Sequence, residues 1–290
     1  MTSLISILLV LSLGALLAVA MAGVAAALAG TRLRPVATGT GSLATEPGPG
    51  ARLLSLGGAG MLVAGGLLTV ALIARTIAVG HAPWSNLHEV SVAFATALVL
   101  VHLLMARRSP IGGLAPITAL VAAGLVGFAL SLPDRIDPLV PALQQPVLLT
   151  VHVGSAILAY ALAGLGFAAA VGELVQRSAG DRIPLLPNAS LARAIGHRAV
   201  LLAYPILTAA IVLGSVWANL AWRSYWSNDP KELAAAATWL VFGAYLHVAG
   251  RRDRWASLAP WLIVAGFAGV LFTYIGAGLF IVGEHSYGTP

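Results

Sequence analysis

The chain has 290 residues, of which 59% are hydrophobic and only 9% are charged, and its mean hydropathy is +0.92. A water-soluble domain of this composition would lack polar surface, so lipid must be the solvent for much of the protein. The net charge of +6 comes without a basic run or a basic amphipathic helix, which predicts no nucleic-acid partner. The absence of cysteine excludes disulfides, thiolate zinc sites and a Cys nucleophile, so any thiol chemistry belongs to a partner or substrate.

Long apolar stretches recur along the chain and predict an all-α integral membrane protein, a bundle of about eight transmembrane helices. The first stretch lacks a basic N-terminal region and exceeds a signal-peptide core, so we expect a retained span. The predicted spans are residues 3–29, 53–79, 88–106, 112–132, 147–175, 197–218, 232–249 and 256–282. They leave no room for a large soluble domain.

Polar connections divide these spans. Residues 31–50 are rich in Gly, Pro and Thr and predict a flexible loop. We divide the chain into residues 1–52, which hold the first transmembrane helix and a cytoplasmic loop, and residues 53–290. This second part is the core, and it contains a Trp-rich outer loop at 217–232, called the Trp loop below.

The placement of the basic residues predicts the orientation in the membrane. Eight spans put both termini on one side. Twelve of the 16 basic residues fall in loops on the opposite side, namely Arg32, Arg34, Arg52, Arg107, Arg108, Arg177, Arg182, Arg193, Arg198, Arg251, Arg252 and Arg254. The positive-inside rule then predicts that both termini lie outside the cytoplasmic membrane. The basic residues on the side of the termini are Arg75, Arg135, Arg223 and Lys231.

The Trp loop has the sequence WANLAWRSYWSNDPKE and holds four aromatic residues within ten positions: Trp217, Trp222, Tyr225 and Trp226. One interpretation is an aromatic belt, because Trp and Tyr favour the bilayer interface. The loop holds more aromatic residues than a belt requires, and Asp229 and other charged residues directly follow them in the sequence. A flat apolar platform beside charges suits a large planar ligand with carboxylates, such as haem.

Three histidines are candidate ligands for haem iron, which neutral imidazole binds well. His152 lies at the outer start of the fifth span, and His285 lies just past the outer end of the eighth. Both are predicted at the depth of the Trp loop. His247 lies in the inner part of the seventh span, where the alternatives are a cofactor ligand and an interfacial residue beside Arg251.

The other four histidines are weaker candidates. His81 is predicted in an outer loop and could flank the site, and His88 could satisfy its neighbour Glu89. His102 lies in the inner half of the third span, which makes it a weak candidate for a ligand at the same inner site as His247. His197 begins the sixth span beside a basic residue, which is typical of an interfacial position.

Five segments together resemble the CcsA/ResC family, the haem-handling membrane proteins of system II cytochrome c biogenesis. In chain order they read GHAPWSNLHEVSVAF, LLTVHVGSAILAY, LTAAIVLGSVWANLAWRSYWSNDPKE, TWLVFGAYLH and HSYG. The resemblance runs from about residue 52 to the end, and the Trp loop resembles the family's WWD domain. Arg223 and Asn228 stand where the family usually has Gly and Trp, and His88 stands in place of Tyr.

The resemblance implies that haem b crosses the membrane and is presented on the outer face between His152 and His285. It implies that Trp217, Trp222, Tyr225, Trp226 and Asp229 surround the ring. The haem is then joined to the CxxCH thiols of apocytochrome c. His247 would be the embedded ligand, with its axial partner on a CcsB/ResB-type subunit.

The implied activity is that of a holocytochrome c synthase (haem lyase) subunit that acts mainly by positioning haem, beside a thiol-reducing partner. Arg75, Arg223 and Lys231 are candidate partners for the haem propionates, and the sequence does not choose among them. Two other functions stay open: a cytochrome b–like electron-transfer subunit, and a structural assembly subunit that binds no haem.

Overall fold

The protein is described from a computed structural model, which describes residues 2–29, 34–37, 43–46, 49–136, 146–251, 254–277, 281 and 283. Eight α-helices account for most of this part of the chain. Their bounds are α1 Thr2–Ala29, α2 Pro49–Val79, α3 Leu87–Ala106, α4 Ala115–Ser131, α5 Pro146–Ala179, α6 Ala189–Trp222, α7 Pro230–Ala249 and α8 Ala259–Leu271. Short 3₁₀ helices precede α4 (Gly112–Leu114) and α8 (Arg254–Ser257), and a π-helix, Phe272–Gly276, extends α8.

Within the described residues, eight helices are long and apolar enough to cross a membrane, which confirms the predicted fold class. Consecutive helices pack as pairs, and α5 joins these pairs because it also contacts α3 and α8. The third span is the most buried of the eight. Large apolar side chains remain exposed around the outside of the bundle, as expected where lipid replaces water.

Two predictions of local structure differ from what is observed. Part of the segment predicted as a flexible loop pairs as a two-stranded antiparallel hairpin, with β1 (Arg34–Ala37) opposite β2 (Leu43–Glu46). Helix α6 begins eight residues before the predicted 197 because Asn188 caps it, accepting from the Leu191 N–H at 2.8 Å.

The loops predicted on one side of the membrane meet at one end of the bundle. Arg75 near the end of α2 donates to backbone carbonyls that follow α4, and Trp84 before α3 contacts Thr150 on α5. Gly283, beyond α8, lies against Asp229 at the start of α7. We call this the Trp-loop end of the bundle.

Reporter fusions test which end faces out. Fusions after Gly50, Arg108, Gly180 and Arg252 should report the cytoplasm, because the arginine-rich loops are retained there. Fusions within residues 133–146 and after Tyr287 should report the outside. A C-terminus that reports the cytoplasm would contradict the outward placement of the Trp-loop end.

Candidate functional site

His152 is held in a fixed orientation between α5 and α6. Its Nδ1–H donates to the carbonyl of Ala210 at 2.9 Å. The ring lies against the α6 backbone at Gly214, where a Cβ would come within 2.6 Å of the imidazole Cε1. Bonding at Nδ1 fixes the neutral tautomer whose lone pair is on Nε2. This is the arrangement in which backbone carbonyls orient metal-binding histidines.

Aromatic rings continue from this imidazole along the end of α6. Trp217 is stacked with His152, with ring centroids 6.1 Å apart and an interplanar angle of 13°. Trp222 meets Trp217 edge to face at 4.8 Å. Trp217 is buried, whereas Tyr225 and Trp226 are 60% and 42% exposed. The result is one apolar wall with a single histidine in it.

A pocket opens beside this wall at the Trp-loop end, between α3, α5, α6, α7 and the π-helix. Its polar and aromatic lining residues are Trp84, Ser85, Asn86, His152, Tyr160, Ser215, Trp217, Tyr225, Trp226, Lys231, Glu232, Thr273 and Tyr274. Trp222 supports the wall from behind without lining the pocket. The structure therefore brings together His152, Trp217, Tyr225 and Trp226 from the predicted site.

The backbone of the Trp loop explains how it reaches this pocket. Trp217 and Trp222 belong to α6, which ends at Trp222. The next residue, Arg223, is the C-cap, and its φ of 61° is left-handed. Glycine adopts that conformation without strain, which accounts for its usual presence at this place in the family that the sequence resembles. Asn228 also has a left-handed φ, 60°, which asparagine tolerates.

Asp229 acts on the backbone of α7. Its side chain accepts from the Lys231 N–H at 2.9 Å, and Glu232 reaches back to the Asp229 N–H, which together form a capping box. Asp229 is buried, 4% exposed, and does not line the pocket. Its observed role is to start α7 at the rim of the pocket.

The expectation that His88 satisfies Glu89 is wrong. Glu89 pairs with Arg75 at 2.9 Å and accepts from the N–H and hydroxyl of Ser85. His88 instead donates through Nδ1 to the carbonyl of Ala129 at 2.9 Å. Two further N–H groups of Arg75 donate to the carbonyls of Asp134 and Arg135, and Arg75 is buried and does not line the pocket.

Two other histidines have partners inside the bundle, and a third lies outside the pocket. His102 bonds Thr118 at 3.1 Å between α3 and α4. His197 bonds the hydroxyl of Tyr245 at 3.1 Å, in a small cavity with the Glu173–Arg193 ion pair. His81 contacts the carbonyl of its neighbour Ala82.

His247 lies on an exposed face of α7. The exposed residues of this helix form one stripe, at Leu233, Ala237, Leu240, Ala244 and His247. Tyr245, by contrast, is buried and faces α6. His247 therefore points away from the face of α7 on which Tyr245 meets His197 of α6.

His285 lies outside the described residues. Gly283, two residues before it, is described, and its backbone approaches the Asp229 carboxylate and Pro230 so closely that a Cβ would collide with both. The chain thus returns to the Trp-loop end at Gly283. Nothing further is described of the C-terminal residues.

Sequence reasoning did not single out Gly214 or Ala210, although both position His152. Ala210 contributes its backbone carbonyl, and Gly214 leaves room for the imidazole because it has no side chain. Neither contribution produces a sequence motif. Trp84 was part of the resembling segment without an assigned role. The structure places it in the pocket wall, where its Nε1–H donates to Thr150, two residues before His152, at 3.4 Å.

Comparisons with known proteins agree with this architecture. The model of the cytochrome c assembly protein family matches residues 84–285. The cytochrome c biogenesis protein CcsA of Microcystis aeruginosa is 33% identical, covering 81% of this chain and 88% of the relative. The protein of the same name from Synechococcus elongatus is 34% identical with the same coverage.

A solved structure shares the fold. The cytochrome c haem lyase CcmF superposes with a TM-score of 0.65 at 21% identity, covering 93% of this chain. This chain spans 46% of that protein's length, and at this identity the likeness concerns the fold alone. The family match and the identity to full-length relatives show more: the chain belongs to the CcsA family of cytochrome c assembly proteins.

Proposed function

We propose that this protein holds haem b in the pocket at the Trp-loop end and presents it for covalent attachment to apocytochrome c. Membership of the family gives the coarser statement, a role of this multi-pass membrane protein in cytochrome c maturation. The finer proposal includes passage of haem across the cytoplasmic membrane, outward-facing termini and a complex with a CcsB/ResB-type subunit. In that complex the chain is a subunit of a holocytochrome c synthase.

The orientation of His152 carries the proposal. Its Nδ1–H is bonded to the Ala210 carbonyl, so Nε2 is the nitrogen that can bind iron. The pocket beside it has the features that a porphyrin needs: a flat aromatic wall and one ammonium, that of Lys231, for carboxylates. These residues fit haem as the substrate of the site.

The attachment chemistry requires a vinyl group, a cysteine thiol and a reduced haem iron to be held together. Each thioether forms when an S–H adds across a vinyl double bond: sulfur bonds one carbon and hydrogen the other. The protein contributes proximity and orientation. Trp217 and Trp226 hold the ring plane, Trp222 supports Trp217 from behind, and His152 holds the iron. The histidine of the CxxCH motif then replaces one axial ligand on release.

We assign the second axial position at this site to His285. Support comes from Gly283, which returns to the Trp-loop end two residues earlier. The assignment also follows the HSYG element of the sequence resemblance. With one histidine on each face of the ring, the CxxCH histidine can replace one of them while the other still holds the iron.

His247 is proposed as a ligand that holds haem during transit, with the second ligand on the partner chain. Its exposed position supports this, because the stripe of Leu233, Leu240 and their neighbours is an apolar helix face that ends in an imidazole. A polar ring exposed in lipid is costly without a partner.

The same geometry argues against a cytochrome b–like function. That class pairs histidines on neighbouring helices of one chain. In the part of the chain that the structure describes, His197 contacts Tyr245 on the buried face of α7, whereas His247 lies on the exposed face of that helix. The described residues of the neighbouring helices α6 and α7 thus do not pair His197 with His247. A purified protein without a haem spectrum would favour the structural assembly subunit instead.

Replacing either proposed outer ligand should abolish cytochrome c maturation. His152→Ala and His285→Ala should each leave the chain in the membrane but yield no covalent haem in a c-type cytochrome reporter. Added imidazole should restore part of the activity, because it can occupy a vacated axial position. Normal maturation in both variants would exclude these residues from the site.

Gly214→Ala tests how His152 is held. The added Cβ would overlap the imidazole, which lies at the far end of a side chain and not in the backbone. The ring rather than the helix should therefore move. Loss of the orienting bond should weaken haem binding roughly 10- to 100-fold. Haem titration measures this, with Gly154→Ala as the control, because a Cβ there meets nothing within 4 Å. Equal affinities in the two variants would contradict the proposed orientation.

The transit role predicts that His247→Ala lowers the haem bound at the outer pocket, because delivery fails upstream. Haem per protein is measured after purification with the partner subunit. Leu240→Ala is the matched control, since Leu240 lies on the same exposed face two turns away. Wild-type haem content in His247→Ala would make this residue interfacial.

A further inference from the structure

We propose that Lys231 binds a propionate carboxylate of the haem and thereby fixes the rotation of the ring in the pocket. This inference rests on the proposed function, because it assigns a positioning role within the same site. It makes the site selective for porphyrins that carry free carboxylates on one edge.

Lys231 has an unusual setting for a structural cation. It is the only lysine in the chain, where every other basic residue is arginine. It is half-buried in the first turn of α7 and lines the pocket. A positive charge in the first turn opposes the helix dipole, so helix stability does not account for it.

The charge of the Asp229 carboxylate acts on the ammonium of Lys231, but the two groups do not form an ion pair at salt-bridge distance. Among the residues that the structure describes, its Nζ forms no hydrogen bond or ion pair, and only its backbone N–H is bonded, to Asp229. Glu232 lines the same pocket, but its carboxylate accepts from the N–H groups of Ser227 at 2.9 Å and Asp229 at 3.1 Å. The Nζ of Lys231 can therefore donate to an anionic substituent in the pocket.

The other cations proposed for this role do not fit. Arg75 donates to Glu89 and to two backbone carbonyls, and it does not line the pocket. Arg223 is exposed beyond the end of α6 and does not line the pocket. Within the described residues, Lys231 is the one basic side chain in the pocket lining.

A carboxylate anchor does what axial ligands cannot. Ligands on the iron fix the axis of the porphyrin but leave rotation about the iron–nitrogen bonds undetermined. The propionates lie on one edge of haem b and the vinyl groups lie away from it. A charge-assisted bond from Lys231 therefore selects which edge faces the incoming thiols.

The test compares haem b with its propionate dimethyl ester, which keeps the ring and iron but loses both charges. The full chain should bind haem b roughly tenfold more tightly than the diester, as expected for a charge-assisted bond in a partly desolvated pocket. Lys231→Met should bind both equally, at the affinity of the diester. Lys231→Arg should recover part of the preference. Arg223→Gln, which removes a cation outside the pocket, should keep the wild-type preference.

A second measurement needs no variant. Since Lys231 is the only lysine, amine acetylation followed by mass spectrometry reports on this side chain alone within its peptide. Haem b should protect it more than the diester does, although both cover the pocket with the same ring. Equal protection, or a wild-type preference retained in Lys231→Met, would overturn the role of Lys231. Haem binding that survives His152→Ala unchanged would instead overturn the proposed function.

Discussion

The ion pair between Arg75 and Glu89 is the contact on which the Trp-loop end depends. Glu89 is 1% exposed, so its charge is stable there only because Arg75 and both donors of Ser85 satisfy it. The same guanidinium holds the carbonyls of Asp134 and Arg135. One pair thus joins α2, α3 and the segment after α4. Removing one partner of such a pair costs about 3–5 kcal/mol, because the other is left buried and charged.

From this anchored end, the pocket is assembled by small local devices. Ser85 binds Glu89 and stands beside Trp84 in the pocket lining, so the ion pair also sets that wall. On the other side, a left-handed residue at 223 turns the chain out of α6, and the capping box at Asp229 starts α7. These devices bring the aromatic side chains, Lys231 and His152 to one place. None of these devices is itself a ligand-binding motif. Each of them nevertheless determines the position of a residue that belongs to one.

The two ends of α7 lie in different surroundings. Its first turn contributes to the pocket, whereas its last turns display His247 on an apolar, exposed stripe. A pocket suits chemistry that needs a fixed geometry, while an exposed face suits a ligand set completed by another chain. At about 1.5 Å per residue, the 16 residues from Lys231 to His247 separate the two places by roughly 24 Å along the helix.

The sequence by itself determined the eight spans, because lipid demands long apolar helices, and the family, because five ordered segments carry it. It also located the Trp loop and His152. Only the tertiary structure decided which partner three of the histidines meet, since that partner is far away in the chain: 58 residues for His152 and Ala210, 41 for His88 and Ala129, 48 for His197 and Tyr245. An imidazole on an apolar helix looks the same in sequence whichever neighbour it meets. Helix packing chooses that neighbour, and local patterns carry no record of it.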